Sequence, residues 1–323
     1  MSRRRMLAQA LALGAAPWIA ATRAQAMPNK PVTLVVPFAP GGNLDVVARA
    51  LAPALEQSLG RNVIVDNRPG AGGVLGASAV SRAEADGSTL LVTTPNAIVV
   101  LPRMTRTAFS LASFQPVGLV STTTLVIVVK GGDKRFADVG ALLAHARANP
   151  GKVTAGHAGP GTTNHVAALQ LEQAAGIKLN TVPYKGSAPA LMDLMGGQID
   201  MVVDQLTSSA PHIQSGALRV LAVMSRERDA TLPKVPTLRE SGLPGFEATT
   251  ATGLLAPAGT PAATIETLNA ALRKALAEPS VKSRLLNVGS VAQSSSPQEL
   301  LQTLQREDAR AQQLAASGRL KAE

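Results

Sequence analysis

The sequence contains no cysteine, and aromatic residues make up only 2% of its 323 positions. The absence of cysteine excludes disulfides, thiolate metal ligands, iron–sulfur clusters and cysteine nucleophiles. The scarcity of aromatic rings argues against the stacking platforms that bind single-stranded nucleic acid. Hydrophobic residues nevertheless reach 46% and charged residues 16%. This composition can build sizeable cores and is not typical of a disordered chain.

The motifs that mark nucleotide sites, serine nucleophiles and zinc sites are also missing. There is no G-x-x-x-x-G-K-[ST], and the glycines within 70–73 lack the G-x-G-x-x-G spacing. Ser78 lies in a segment that does not match the G-x-S-x-G elbow. The four histidines show no H-E-x-x-H spacing. We therefore predict no catalytic residue, no metal site and no cofactor.

The N-terminal segment has the three parts of a secretory signal. Arginines at 3–5 precede an apolar stretch from Met6 to Ala21, and small residues follow at Ala24-Gln25-Ala26. We predict a signal peptide at residues 1–26 that is cleaved after Ala26. The arginines are compatible with both the Sec and the twin-arginine export routes, and the choice between them stays open.

The charge distribution gives no sign of a nucleic-acid partner. Removal of the signal takes away four arginines and lowers the formal net charge from +10 to +6. The remaining basic residues are scattered, with no basic stripe, helix–turn–helix or RNA-binding signature. A mild positive field suits small anionic molecules, although it also serves the general solubility of an exported protein.

The remaining sequence alternates short β-branched runs with amphipathic helices, which indicates an α/β fold. One arrangement occurs twice, at residues 40–45 and 159–163, where a strand runs into a glycine-rich turn that opens a helix. Helix N-termini carry unpaired N–H groups and partial positive charge, and glycine lets a ligand approach them closely. Either turn alone could be a simple connection. The pair predicts two cradles that grip an anion between two domains.

Several segments match a known family in the expected order along nearly the whole mature chain. They are Val35-Val36-Pro37-Phe38-Ala39-Pro40-Gly41-Gly42-Asn43-Leu44-Asp45, Asp66-Asn67-Arg68-Pro69-Gly70-Ala71-Gly72-Gly73, Asp86-Gly87-Ser88-Thr89-Leu90, Gly159-x-Gly161-Thr162-x-x-His165, Val182-Pro183-Tyr184-Lys185-Gly186, Gly197-Gln198-Ile199-Asp200, Leu232-Pro233-x-Val235-Pro236-Thr237 and Ala256-Pro257-Ala258-Gly259-Thr260-Pro261. Through these segments the sequence resembles the substrate-binding proteins of tripartite tricarboxylate transporters, the Bug/TctC family.

The resemblance implies a periplasmic receptor with the type II periplasmic-binding-protein fold. Two α/β domains with mixed sheets, joined by a two-crossing hinge, are expected to close on the ligand. Domain 1 would comprise residues 27–123 plus 227–323, and domain 2 would comprise residues 124–226. The implied ligand is a small carboxylate (a dicarboxylate, aromatic acid or amino acid) held by backbone amides of the two loops. Carried over to this sequence, these contacts fall on Phe38, Gly41, Gly42, Asn43, Asp45, Gly159, Gly161, Thr162 and Thr163.

Some candidate side chains have two interpretations that the sequence leaves open. Asp45 either favours the positive start of its helix or accepts a hydrogen bond from a ligand amine, hydroxyl or bridging water. His157 stands where the family usually has a small residue, so it either contacts the ligand or fills the loop. His165 lies in the first turn of its helix, where the dipole disfavours a charged imidazole, and is expected to be neutral and structural.

Three further candidates lie downstream of the second loop. Lys185 either pairs with an anion or lies at the surface, as lysines usually do. Tyr184, the only tyrosine, is its neighbour. Asp204 ends a strand-like run and either faces the cleft or caps the segment that follows. We include all three among the candidate ligand-binding residues.

The sequence therefore predicts a monomeric periplasmic solute-binding receptor rather than an enzyme. The resemblance implies that it captures a small organic anion and delivers it to the membrane subunits of a tripartite tricarboxylate transporter. A ligand-binding component that feeds a signalling receptor is the alternative, because the sequence does not separate uptake from signalling. An exported α/β enzyme is a weaker alternative, since no nucleophile–base pair is found. The identity of the carboxylate stays open.

Overall fold

The computed structural model describes residues 29–316, so the predicted signal peptide lies outside the described residues. Within this range, ten strands form two sheets that share one long strand, β4. No helix of residues 29–316 combines the length and the apolar character needed to cross a bilayer. The strands are β1 (Val32–Val36), β2 (Val63–Asn67), β3 (Thr89–Thr93), β4 (Phe114–Lys130), β5 (Thr154–His157), β6 (Asn180–Pro183), β7 (Met201–Gln205), β8 (Leu218–Val223), β9 (Thr249–Pro257) and β10 (Ser290–Ala292).

Helices connect most of these strands, as the alternating sequence pattern predicts. They are α1 (Asn43–Leu59), α2 (Val74–Ser81), α3 (Pro95–Val99), α4 (Leu101–Met104), α5 (Val139–Ala148), α6 (Thr163–Ala175), α7 (Ser187–Gly196), α8 (Leu206–Gln214), α9 (Ala262–Ala277), α10 (Pro279–Leu286) and α11 (Pro297–Ala316).

Each sheet forms one lobe together with the helices that cover it. The first lobe has the strand order β2-β1-β3-β9-β4, with β10 also paired to β4. In it, β1 is parallel to β2 and β3, whereas β9 is antiparallel to β3 and β4. The second lobe has the order β4-β7-β5-β6, with β8 also paired to β4. There, β5 is parallel to β6 and β7, and β4 is antiparallel to β7 and β8.

Strand β4 passes from the first lobe to the second without a break. Its residues up to Thr124 pair with β9, and from Leu125 onward they pair with β7 and then β8. The sequence predicts two separate strands here, near 117–120 and 125–129. The threonines between them are β-branched, and they continue the extended backbone instead of interrupting it. One continuous strand therefore forms the first connection between the lobes.

The chain returns to the first lobe at β9. Before that point, Leu238, Leu243 and Phe246 are buried in a core of the second lobe. The N–H of Ala248 also donates to the carbonyl of Met224, at 2.8 Å. These contacts favour a return just before β9, later than the expected boundary between residues 226 and 227. The domain limits themselves stay a prediction.

Alternate residues of the strands face opposite cores, because successive side chains of a strand point to opposite sides of a sheet. In the second lobe, Leu125, Ile127 and Val129 enter the core beneath α5 and α6. Val126 and Val128 enter the opposite core, beneath α7 and α8. The first sheet is likewise covered on both faces.

The packing of the first lobe can be tested with two leucines on neighbouring helices. Leu272 on α9 is fully buried, whereas Leu286 on α10 is 49% exposed. We expect Leu272→Ala to lower the free energy of unfolding by about 2–5 kcal/mol, because truncation removes buried surface and leaves a cavity. Leu286→Ala should change it by less than about 0.5 kcal/mol. Urea unfolding measures both, and equal losses would contradict this core.

Candidate ligand-binding site

Four helices begin at one cavity between the two lobes. Asn43, Thr163 and Ser187 are the first residues of α1, α6 and α7, and Gln205 immediately precedes α8. All four residues line the cavity. Each helix follows the end of a strand, namely β1, β5, β6 and β7. Ligands of open α/β sheets bind outside the carboxyl ends of the strands, and the topology places this cavity there.

The helix starts give the cavity a positive electrostatic character without a cationic side chain. The first turn of a helix has N–H groups without intrahelical partners and carries partial positive charge. The residues that precede α1, α7 and α8 make no side-chain hydrogen bond that would cap these turns. At α6, Thr162 accepts a hydrogen bond from the N–H of His165, at 3.4 Å. Helix starts in both lobes therefore have backbone N–H groups that no side-chain cap occupies.

The cavity is small and its wall is mostly neutral. Its volume is about 30 Å³, which is room for one or two water molecules. A dicarboxylate is larger, so its binding requires the lobes to separate or the side chains to rearrange. No lysine, arginine or histidine is among the described residues that line it. The lining consists of Phe38, Ala39, Gly42, Asn43, Leu44, Asp45, Thr94, Ala158, Thr162, Thr163, Asn164, Ser187 and Gln205.

The structure brings together about half of the candidate residues from the sequence. Those that line the cavity are Phe38, Gly42, Asn43, Asp45, Thr162 and Thr163. The candidates that lie outside the lining are Gly41, His157, Gly159, Gly161, Tyr184, Lys185 and Asp204. For every candidate, contact with a ligand stays a prediction.

Asp45 holds the first loop to the start of α1. Its Oδ2 accepts a hydrogen bond from the N–H of Gly41, at 2.9 Å, and its Oδ1 accepts one from Nε of Arg49, also at 2.9 Å. Burial raises the pKa of Asp45, but the bonds from Arg49 and Gly41 outweigh that effect and hold the pKa below its ordinary value. Asp45 is therefore ionised near neutral pH, and its charge is balanced by Arg49.

The glycines of the second loop contact the first lobe rather than the cavity. Gly161 has a φ of +69°, and a Cβ on it would lie 2.9 Å from Cα of Leu101. A Cβ on Gly159 would lie 3.1 Å from Cα of Gly72. These glycines let the backbones of the two lobes approach closely. A residue with a side chain at either position would hold the lobes apart.

Two buried histidines shape the second loop. The rings of His157 and His165 stack with their centroids 4.3 Å apart. Nδ1 of His157 accepts a hydrogen bond from the N–H of Gly159, and Nδ1 of His165 accepts one from the N–H of Gly161, both at 3.2 Å. Burial lowers the pKa of His165 to about 4, so this ring is neutral near neutral pH. A neutral ring at His165 fits this bond, because a protonated Nδ1 could not accept from the N–H of Gly161.

Tyr184 and Lys185 lie beside the site and make other contacts. The hydroxyl of Tyr184 donates to Oδ2 of Asp193, at 2.7 Å. Burial and then this carboxylate raise the pKa of Tyr184 to about 12. The side chain of Lys185 is exposed, while its carbonyl accepts a hydrogen bond from the N–H of Ala39, at 3.1 Å. Lys185 thus joins the lobes through its backbone.

Sequence reasoning missed several polar residues that line the cavity: Thr94, Asn164, Ser187 and Gln205. Asn164 and Gln205 form a reciprocal pair, in which Nε2 of Gln205 donates to Oδ1 of Asn164 at 2.9 Å and Nδ2 of Asn164 donates to Oε1 of Gln205 at 3.1 Å. Asp204 lies behind this pair and is fully buried. Their position in the sequence could have identified them, because each missed residue lies where a helix begins after a strand.

These features define a class of protein, the two-lobed solute-binding proteins that hold a ligand between their lobes. The profile of the family described as "Tripartite tricarboxylate transporter family receptor", TctC, matches residues 47–318. The chain belongs to this family, whose members are binding proteins and not enzymes. The resemblance stated from the sequence and the predicted fold class are both confirmed.

Individual relatives match over most of their length. The "UPF0065 protein in tcbD-tcbE intergenic region" of Pseudomonas sp. (strain P51) is 41% identical, covering 100% of this chain and 96% of that protein. The solved structure of the periplasmic binding protein BugD has 34% identity and a TM-score of 0.86, covering 92% of this chain and all of that one. MatC from Rhodopseudomonas palustris with bound malate has 32% identity and a TM-score of 0.84, covering 89% and 99%. An R. palustris protein solved with adipate has 33% identity and a TM-score of 0.85, covering 90% and 97%.

The close approach at Gly161 can be tested against a matched glycine. Gly161 and Gly176 have similar positive φ values of +69° and +62°, but nothing lies within 4 Å of a Cβ built on Gly176. Alanine at either position should cost about 1–2 kcal/mol of backbone strain. Only Gly161→Ala should also push the lobes apart, because its Cβ meets the backbone of Leu101. Small-angle scattering should show a larger radius of gyration for this variant alone, and equal radii would contradict the contact.

The lowered pKa of His165 predicts a loss of stability in acid. The unfolded chain binds a proton near pH 6.5 and the folded chain only near pH 4. Falling pH therefore favours unfolding, by up to about 3 kcal/mol at pH 4. His165→Asn keeps an acceptor for the N–H of Gly161 and does not titrate, so its stability should fall less steeply. Urea unfolding at several pH values measures the difference, and identical slopes would exclude this role.

Proposed function

We propose that this chain captures a small carboxylate between its two lobes in the periplasm and delivers it to the membrane subunits of a tripartite tricarboxylate transporter. The observation that carries the proposal is the cavity at which four helices from both lobes begin. Family membership supports the transport role, and the export signal predicted at residues 1–26 supports the location.

The chemistry of the cavity favours an anion over a cation. Backbone N–H groups at helix starts stabilise negative charge, and a carboxylate accepts several such bonds at once. The only ionised side chain in the lining is Asp45, and Arg49 balances its charge. A cationic ligand would meet the positive helix ends with no unpaired acid in the lining to stabilise it.

The relatives support dicarboxylates as the first class to test. MatC was solved with malate and another R. palustris protein with adipate, both at more than 30% identity to this chain. The neutral side chains of Thr94, Thr163 and Ser187 offer hydroxyl groups for the remaining polar atoms of a ligand. Phe38 and Leu44 supply an apolar part of the wall, which fits a short carbon skeleton.

The proposal is tested by a thermal-shift panel of malate, succinate, adipate, citrate, benzoate and glutamate, with the diamine putrescine as the cationic control. A carboxylate present at about 100 times its dissociation constant stabilises the folded state by about 2.7 kcal/mol and raises the melting temperature. Putrescine should give no shift. A shift with putrescine and none with any carboxylate would overturn the proposal.

Two matched variants, one just before α8 and one at its far end, test whether the ligand binds at the cavity. Gln205→Glu adds a negative charge to the wall, whereas Gln214→Glu makes the same change on the exposed end of the same helix. We expect Gln205→Glu to weaken carboxylate binding at least about tenfold by like-charge repulsion. Gln214→Glu should bind normally, and equal affinities of the two variants would place the ligand elsewhere.

In the native host, the periplasmic fraction should contain a chain that begins at Met27, and deletion of the gene should abolish uptake of the ligand.

A further inference from the structure

Asp204 is a fully buried carboxylate that is surrounded by neutral hydrogen-bond donors. Its Oδ2 accepts hydrogen bonds from the hydroxyls of Ser208 and Ser209, both at 2.6 Å, and its Oδ1 accepts one from Nδ2 of Asn164, at 3.2 Å. In residues 29–316 it takes part in no ion pair. Burial raises the pKa of Asp204, and the serine hydroxyls only partly oppose this.

A single side chain separates Asp204 from the cavity. Asn164 is one of the residues that line the cavity, and its side-chain Nδ2 donates to Oδ1 of Asp204. A carboxylate bound against Asn164 would therefore lie close to a second negative charge in the poorly polarisable interior. Like charges repel strongly there, because little water screens them. The cavity lining described above has no cation that would offset this repulsion.

The elements packed against β7 carry other titratable groups. Each of these either has a partner of its own or lies towards the far end of its element. These groups are Lys130 on β4, His157 on β5, His165 and Glu172 on α6, Asp193 on α7 and His212 on α8. Glu172 pairs with Lys178, and Asp193 accepts the hydroxyl of Tyr184. The two histidines stack on each other, and the remaining two groups lie towards the far ends of their elements. From the first lobe, Asp45 faces the same cavity and is paired with Arg49.

We propose that the capture of a carboxylate is coupled to the uptake of one proton by Asp204. This inference rests on the proposed function and adds a regulation to the same site. The proton comes from solvent and binds a carboxylate oxygen of Asp204, so the two negative charges do not coexist across Asn164. The resulting hydroxyl can donate to Ser208 or Ser209, whose oxygens accept as readily as they donate. Because coupling is reciprocal, lower pH strengthens carboxylate binding and a bound carboxylate strengthens proton binding.

The coupling predicts tighter binding as the pH falls from 9 to 6.5. We expect an affinity gain of about tenfold over this window, which is within the usual range for coupling between two sites. The window stays above the range in which free carboxylates become protonated. It also stays above the pKa of His165, which is about 4.

Calorimetry of malate binding, or of adipate binding if malate gives no thermal shift, measures the proton directly. Titrations in phosphate and Tris buffers, which have different ionisation heats, give the number of protons taken up. The wild-type protein should take up about 0.4 proton on average across this window, which is the slope that a tenfold gain over 2.5 pH units requires. Asp204→Asn should take up none and should bind with a flat pH profile. Glu172→Gln, which alters a carboxylate of α6 that pairs with Lys178 and lies outside the cavity lining, should still take up the proton.

A second variant keeps the test decisive if Asp204→Asn does not fold. Ser209→Ala removes a donor to the ionised carboxylate and should move the midpoint of the pH profile to higher pH. Binding without proton uptake, uptake that persists in folded Asp204→Asn, or an unchanged midpoint in Ser209→Ala would overturn this inference alone. Absence of binding heat with every carboxylate of the panel would overturn the proposed function, and this inference with it.

Discussion

The proposed ligand chemistry depends on the backbone N–H groups at the starts of four helices. Buried backbone donors need partners, and a helix cannot supply them in its first turn. Here α1 contributes such donors from one lobe and α6, α7 and α8 contribute them from the other, all at one cavity. Under the proposed function, an anion accepts hydrogen bonds from donors of both lobes at once. The fold and the ligand chemistry are therefore consequences of the same topology.

The sequence predicted the part of this site that has a local signature. Glycines at 41–42 and 159–161 mark two strand-to-helix turns, and both turns lie at the interface between the lobes. The start of α8 has no such mark, because Gln205 follows its strand directly. Its position at the cavity comes from the pairing of β7 between β4 and β5, strands that are far apart in the chain. The spacing of residues in the sequence does not predict pairing between strands that are far apart in the chain.

The glycines also show that the absence of a Cβ can have two different roles. A missing Cβ permits close approach, and the sequence gives no indication of what approaches. Gly42 lines the cavity, whereas Gly161 meets Leu101 of the opposite lobe. The threonines of β4 are a second example. The sequence predicts two strands on either side of them, whereas in the structure they continue one strand through both sheets. Only tertiary contacts distinguish these outcomes.

A cavity without a cation suits a receptor that must release what it binds. A lysine or arginine would hold a carboxylate from one lobe whether or not the lobes were closed. Hydrogen bonds to helix starts instead come from both lobes, so separation of the lobes removes a share of the donors together. Because β4 runs unbroken through both sheets, opening must bend or twist this strand near Thr124. Under the proposed function, affinity therefore depends on the angle between the lobes, because a carboxylate loses donors from one lobe when the lobes separate.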